Sequence, residues 1–278
     1  MGRMGVAMAT HVLDGGHELH VWNRTPGRAG RLVDAGAVEH DAAQDAVREA
    51  DAVVLMLFGP PSVREVLPDV LAGAPAGALL VNATTVAPAD AQEFAATAQA
   101  LRYVDAPVAG STGPAAEGTL GVLVGAAEQD WTDALPLLHL WGSEQKVRRV
   151  GEVGAGSAMK LCNNLALGFT IAGVGEALRL GQDLGLERAA LLDVLAGTAL
   201  GGMVATKRSM LDSADYGTPT FSLELLVKDL DLAVSSARSD LDVTAAVLAA
   251  ARDAAGAGHA GEDFAVLAER LAGGAPSS

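Results

Sequence analysis

Cysteine occurs once in this chain of 278 residues, at Cys162. That excludes an internal disulfide framework and suits a reducing compartment. Aromatic residues make up only 4% of the chain, and there are four lysines (Lys146, Lys160, Lys207 and Lys228) among 19 basic residues. No uninterrupted apolar run reaches the roughly 18 residues a membrane span needs. The opening MGRMGVAMATHVLDGGHE lacks the basic start and apolar block of a secretory leader. The reading is therefore a cytoplasmic protein with no membrane partner. Positive charge is also short: 19 basic against 34 acidic residues give a net charge of −15. Such a chain repels polyanions, so no nucleic-acid partner is expected. A small anion can still bind where a few cations and backbone amides converge. The six histidines have no metal-ligand spacing among themselves or with Cys162, so no metal is expected.

What is present is apolar: half of the residues are hydrophobic, enough for the cores of two modest domains. The excess of arginine over lysine carries a further hint. Where charge alone suffices this chain uses arginine. A retained lysine is then a candidate for chemistry a guanidinium cannot perform, because a guanidinium hardly ever gives up its proton.

The first half alternates strand and helix. Strand patterns fall at 18–22, 52–57, 78–82, 102–105, 120–125 and 146–150, several of them continuous apolar runs as in strands buried on both faces. Helical stretches lie between them. This alternation predicts an α/β fold with a doubly wound parallel sheet. After Gly156 the pattern becomes almost entirely helical, with segments at about 157–183, 187–196, 203–212, 222–239, 242–256 and 262–271. The glycine-rich GEVGAG at 151–156 is the natural junction, which divides the chain into 1–152 and 153–278. The closing GGAPSS reads as a frayed tail.

The chain opens Met1-Gly2-Arg3-Met4-Gly5 ahead of an apolar helix. Gly2 and Gly5 have the spacing of the second and third glycines of G-x-G-x-x-G, which admit a pyrophosphate and close helix–strand packing. The first glycine and the strand before it do not precede them. The expectation is that the fold's first strand is missing, that the start is placed too late, and that adding it would raise stability and cofactor affinity together. About 20 residues on, where the ribose is read, stand Asn23, Arg24 and Thr25. An acid there would bond both ribose hydroxyls. An amide, a cation and a hydroxyl suit a 2′-phosphate, so NADP is favoured over NAD.

Four segments in order carry a specific resemblance: MGRMG, DAPVAGSTGPAAEGTL at 105–120, GAGSAMKLCNN at 154–164 and FSLELLVKDLDLA at 221–233. Together they resemble the β-hydroxyacid dehydrogenase family, which includes the 3-hydroxyisobutyrate dehydrogenases. The likeness implies a Rossmann-type domain that binds NADP and an all-helical domain for substrate and dimerisation. By resemblance Lys160 is the catalytic lysine and Asn164 helps to hold the substrate. Helix geometry agrees, since residues four apart share a face. An amine there would take the proton of a hydroxyl as hydride leaves for the nicotinamide, and return it in the reverse reaction.

The same likeness assigns Asp105–Gly113 to a substrate loop of pattern D-x-P-V-S-G-G. Here Ala109 replaces the serine and Ser111 the second glycine, so Ala109, Gly110 and Ser111 are the expected carboxylate contacts. Lys228 is placed beside nicotinamide and substrate, off the apolar stripe of Leu223, Leu226, Leu230 and Val234. Leu57, Phe58 and Thr85, at the ends of successive strands, match positions that line the cofactor, as do Arg3 and Met4 between the glycines. Cys162 is expected to be a small buried residue. Small residues along 157–183 (Ala158, Gly168, Ala172, Gly173, Gly175), with Gly156 just before them, permit close packing within the domain or in a homodimer, which the resemblance favours. The substrate expected is a small hydroxyacid or its aldehyde. An imine reductase-like enzyme shares the architecture but usually lacks the lysine. A non-catalytic NADP-binding sensor or scaffold would not need both Lys160 and Asn164.

Overall fold

The computed structural model describes residues 2–273. Met1 and residues 274–278 of the expected tail lie outside the described residues. The chain forms two compact units, Met1–Lys160 and Leu161–Ser278.

The first unit runs α1 (Arg3–Asp14), β1 (His20–Trp22), α2 (Gly30–Asp34), β2 (Val38–His40), α3 (Ala43–Ala46), β3 (Ala52–Leu55), α4 (Pro60–Gly73), β4 (Leu79–Asn82) and α5 (Pro88–Thr97). It continues with β5 (Arg102–Asp105), β6 (Val108–Ala109), α6 (Thr112–Ala116), β7 (Gly121–Gly125), α7 (Glu128–Leu138) and β8 (Val147–Gly151). β1 and β2 pair in parallel as a sheet of their own. The larger sheet has the order β3-β4-β5-β7-β6, with β8 against β7. β3, β4 and β5 are parallel as expected, whereas β7 runs antiparallel to β5 and β6 and parallel to β8. β2 and β6 escaped the sequence reading, being too short to show alternation.

Apolar side chains fill both faces of the larger sheet. Leu80, Val63, Phe94 and Tyr103 form one core, and Val81, Val104, Val122, Leu138 and Trp141 the other. The α1 helix joins the second through Met8, whose carbonyl accepts the Trp141 indole N–H at 3.2 Å.

A single long helix, α8 (Ala155–Asp183), begins in the first unit and continues into the second. Among the described residues it is the one helix long and apolar enough to cross a membrane. Its buried Ile171, Val174 and Leu178 are part of a helical core. The rest of the second unit is α9 (Arg188–Ala196), α10 (Gly201–Ser213), α11 (Leu223–Ser236), α12 (Asp242–Ala254), a π-turn at Ala255–His259 and α13 (Val266–Leu271). The small residues of α8 have neighbours within the chain: Gly168 meets Leu230, Gly173 meets Leu200, and Gly175 meets Leu271 and Ala268.

The second unit is organised around a buried ion pair. Lys207 on α10 is 3% exposed and Asp263 fully buried, with their charged atoms 2.8 Å apart. The carboxylate also accepts the N–H of Thr220 at 2.8 Å, its hydroxyl at 2.9 Å and the N–H of Ala265 at 3.0 Å. By binding that last amide, Asp263 occupies the chain where the sequence reading starts the final helix, and α13 begins only at Val266. Burial pushes the Asp263 carboxyl up, but Lys207 and the two backbone donors outweigh it and hold it below its usual value.

A carboxyl depressed in the folded state stabilises fully above its unfolded value, and that contribution is lost as pH falls through the folded one. The second unit should therefore weaken below about pH 4. At neutral pH, Lys207→Met leaves the acid without its cation and should cost about 3–5 kcal/mol. Far-UV circular dichroism in denaturant reports the helices. Tryptophan fluorescence is the control, since Trp22, Trp131 and Trp141 all lie in the first unit.

Candidate active site

Leu55, Asn82, Asp105 and Gly125 lie in register across the carboxyl edge of the larger sheet. In open α/β sheets this edge is where ligands bind. Asn82 and Asp105 are fully buried, so each needs partners. Asn82 donates to the Tyr103 hydroxyl at 2.8 Å and accepts the Thr84 N–H at 3.0 Å. The Thr84 hydroxyl accepts the Leu57 N–H at 3.0 Å. Burial drives the Tyr103 phenol above its ordinary value, so it stays a neutral hydroxyl. These bonds fix the turns that carry Leu57, Phe58 and Thr85. Phe58 is 52% exposed at the strand end, and Thr85 is half-buried.

Asp105, at the end of β5, receives the start of α8. Its Oδ2 accepts the N–H of Gly154 at 3.0 Å and of Ser157 at 2.9 Å, while Oδ1 accepts the Ser157 hydroxyl at 2.7 Å. Burial pushes this carboxyl up, against the lowering effect of its donors. Backbone packing closes the same junction. A Cβ at Gly156 would stand 2.4 Å from the Leu123 carbonyl oxygen, and one at Gly125 would stand 2.5 Å from that of Glu152. Lys160 follows in the next turn and is buried, at 8% exposure.

Further along α8, Asn164 is fully buried. Its amide donates to Asp229 Oδ2 at 2.5 Å and its oxygen accepts from Asn163 at 3.0 Å. Asp229 Oδ1 in turn accepts from Lys228 Nζ at 2.5 Å. The structure thus joins two expected site residues, Asn164 and Lys228, through a third that the sequence reading passed over. The signal for Asp229 was available: it is an acid on the buried side of α11, between Leu226 and Leu230. The sequence reading places Asp105 at the head of the substrate loop, whereas its carboxylate turns to Gly154 and Ser157, and Ser157 itself carries no expected role. One expectation is corrected. Cys162 is exposed. At about 100° per residue it lies far around α8 from the buried Lys160 and Asn164, so it presents its thiol outward.

In the first unit, Gly2 caps α1 with its carbonyl accepting the Val6 N–H at 3.0 Å, and no described residue beyond its chain neighbours stands within 4 Å of where its Cβ would be. Arg3 and Met4 open the helix and Gly5 is buried inside it. Asn23, Arg24 and Thr25 follow β1, on the two-stranded sheet and not on the larger one. Asn23 donates to the Thr25 carbonyl at 2.6 Å, and Arg24 is 75% exposed, 3.8 Å from Glu65. Ala109 pairs with Gly121 on the antiparallel arm. Gly110 has a φ of +132°, and a Cβ there would approach the Leu120 side chain to 2.8 Å. Ser111 precedes α6 with no capping bond from its side chain.

A family model described as the NAD binding domain of 6-phosphogluconate dehydrogenase matches residues 1–154. A second, described as NAD-binding of NADP-dependent 3-hydroxyisobutyrate dehydrogenase, matches residues 154–271. The chain is 33% identical over 281 residues to the 3-hydroxyisobutyrate dehydrogenase of Pseudomonas aeruginosa, covering 95% of this chain and 94% of that one. It is 32% identical over 283 residues to the NAD-dependent L-serine dehydrogenase of the same organism, covering 96% and 94%. Among solved structures, the Mycobacterium tuberculosis 3-hydroxyisobutyrate dehydrogenase with L-serine has a TM-score of 0.86 at 31% identity, over 97% of this chain and 96% of that one.

The packing at the start of α8 leaves no room for a side chain. Gly156→Ala should therefore destabilise the first unit by about 1–3 kcal/mol, as overpacking does. Thermal unfolding followed by tryptophan fluorescence checks this, and an unchanged midpoint would mean that the junction yields.

Proposed function

This chain belongs to the β-hydroxyacid dehydrogenase family, and from that premise we propose that it interconverts a small β-hydroxyacid and its semialdehyde with NADP(H), Lys160 acting as acid/base. That it is an oxidoreductase acting on CH–OH donors, with a nicotinamide cofactor, follows from the family. The observation that carries the finer reading is Lys160 itself. It is a buried lysine in a chain with four lysines, one turn beyond a helix start fixed to the carboxyl edge of the sheet.

The relatives named above act, by their names, on 3-hydroxyisobutyrate and L-serine. Both molecules carry a hydroxyl on the carbon β to a carboxylate, which is the substrate class proposed here. Gly110 and Ser111 would receive that carboxylate. At Ala109 there is only a methyl, which favours a substrate with an apolar group on that side.

Bound nicotinamide supplies the acceptor, or in reverse the donor, of a hydride. Gly2, Arg3, Met4 and Gly5, at the start of α1, would hold the pyrophosphate, with Leu57, Phe58 and Thr85 along the cofactor. Arg24 and Thr25 would take the 2′-phosphate, with Arg24 exchanging an exposed, weak pairing to Glu65 for a stronger one. Lys160 takes the hydroxyl proton as the carbonyl forms and donates it when the carbonyl is reduced. Asn164 and Lys228, both tied to Asp229, would hold and orient the substrate. A neutral base and a protonated acid are the same residue in the two directions, which arginine cannot be.

Lys160→Ala should lower kcat by several orders of magnitude and leave NADPH binding nearly intact. Lys160→Arg should be almost as damaging, and an arginine variant at the parental rate removes Lys160 from the acid/base role. For cofactor choice, Arg24→Gln should weaken NADPH binding by about 1.5–3 kcal/mol and spare NADH. Equal affinity of the parent for both cofactors by calorimetry would rule out a phosphate site at this turn.

A further inference from the structure

We propose that Asp105 and Ser157 are positioning residues for catalysis: they latch the first turn of α8 in one rotation and height, and so hold Lys160 where proton transfer requires it. The proposal rests on the acid/base reading of Lys160 given above.

The start of a helix has unsatisfied N–H groups, which a local serine or aspartate before the first turn would serve at little cost. Here no acidic residue lies in the first turn of α8. The acceptor is instead Asp105, 49 positions before Gly154 and fully buried. Desolvating a carboxylate opposes its charged form, and burial does push this one up. As a stabilising cap the arrangement is therefore inefficient. It adds something a local cap cannot, a bond between helix and sheet. Both carboxylate oxygens are taken by a single helical turn, two donors on Oδ2 and one on Oδ1. Two contacts to one carboxylate, from the amide and the hydroxyl of Ser157, fix rotation as well as position. Gly156, with its Cβ position 2.4 Å from Leu123 O and 2.8 Å from Asp105 O, brings the helix backbone directly onto the strands.

Ser157 and Lys160 are three residues apart, hence on one side of the helix and about 4.5 Å apart along its axis. Any turn of the latched segment is passed on to the lysine. Misplacement of a reacting group by about 1 Å can cost on the order of 100-fold in rate.

The test uses the full chain with NADP+ and with 3-hydroxyisobutyrate and L-serine as probes. Ser157→Ala removes one latch bond and leaves both amide donors. Asp105→Asn keeps the shape but turns one acceptor into a donor that faces other donors. Each should lower kcat about tenfold or more, leave the KM for NADP+ unchanged, and shift the acid limb of the kcat/KM profile. Ser157→Thr, which keeps the hydroxyl, should restore the parental profile. Amide exchange followed by mass spectrometry should show faster exchange at 154–160 in the first two variants. Parental kcat and pH profile in both, even with a lowered melting temperature, would overturn the proposal, as would loss of folded protein in both, since the pair would then be a structural cap. The underlying reading fails differently: Lys160→Arg would keep turnover whatever the latch variants do.

Discussion

One buried carboxylate orders the first unit's working edge. Asp105 ends a strand whose neighbours finish in Leu55, Asn82 and Gly125 at the same level, and Asn82 and Asp105 there are shut off from bulk solvent. Asn82 is answered by Tyr103 and Thr84, and Asp105 by the start of α8. The turns that follow β3 and β4 and the helix that follows β8 are thus consequences of the same requirement, that no buried polar atom at this edge go without a partner. Glycine at 125 and 156 is the complement of that requirement, because the bonds form only if the backbones can touch.

Among the described residues three acids are buried, and each is partnered differently. Asp105 has neutral donors only, and burial dominates its ionisation. Asp263 has a lysine and backbone amides, and its ionised form prevails. Asp229 holds a lysine on one oxygen and an amide on the other. A structural acid benefits from full neutralisation, as at Asp263. An acid that must orient a neighbour without drawing off its proton chemistry is better served by neutral donors, which is the arrangement at Asp105.

Much of this was legible beforehand. Long, continuous apolar strands and the shift to helical periodicity after Gly156 gave the two-part α/β architecture, because such patterns follow directly from which faces are buried. Four motif segments gave the family. Short elements were hidden: β2 and β6 have too few residues for a period, and α2, α3 and α6 span a turn or little more. The reversed direction of β7 depends on pairing across distant segments, which no local pattern states. At the candidate site, Lys160 and Asn164 are named by the motif resemblance, with which their four-residue spacing agrees, whereas Asp105, Ser157 and Asp229 make contacts 49 to 65 positions apart in sequence. Lysine scarcity pointed to chemistry at every retained lysine, and Lys207 shows the limit of that argument, since a buried counter-ion also keeps its lysine. The exposure of Cys162 follows from its angle around α8, which its residue type alone does not reveal.

The placement of the four lysines has a practical side. Lys160 and Lys207 are buried, Lys228 is half-buried against Asp229, and only Lys146 stands exposed, its ammonium on the Thr119 carbonyl. In the native chain an acylating reagent or a lysine-cleaving protease would meet one ready lysine side chain, Lys146, in the segment that leads into β8. Attachment of a dye or a support through lysine side chains would thus fall mainly on Lys146. Any rise in the number of amines modified would report the opening of a core, which gives the folded state a chemical as well as an optical signature.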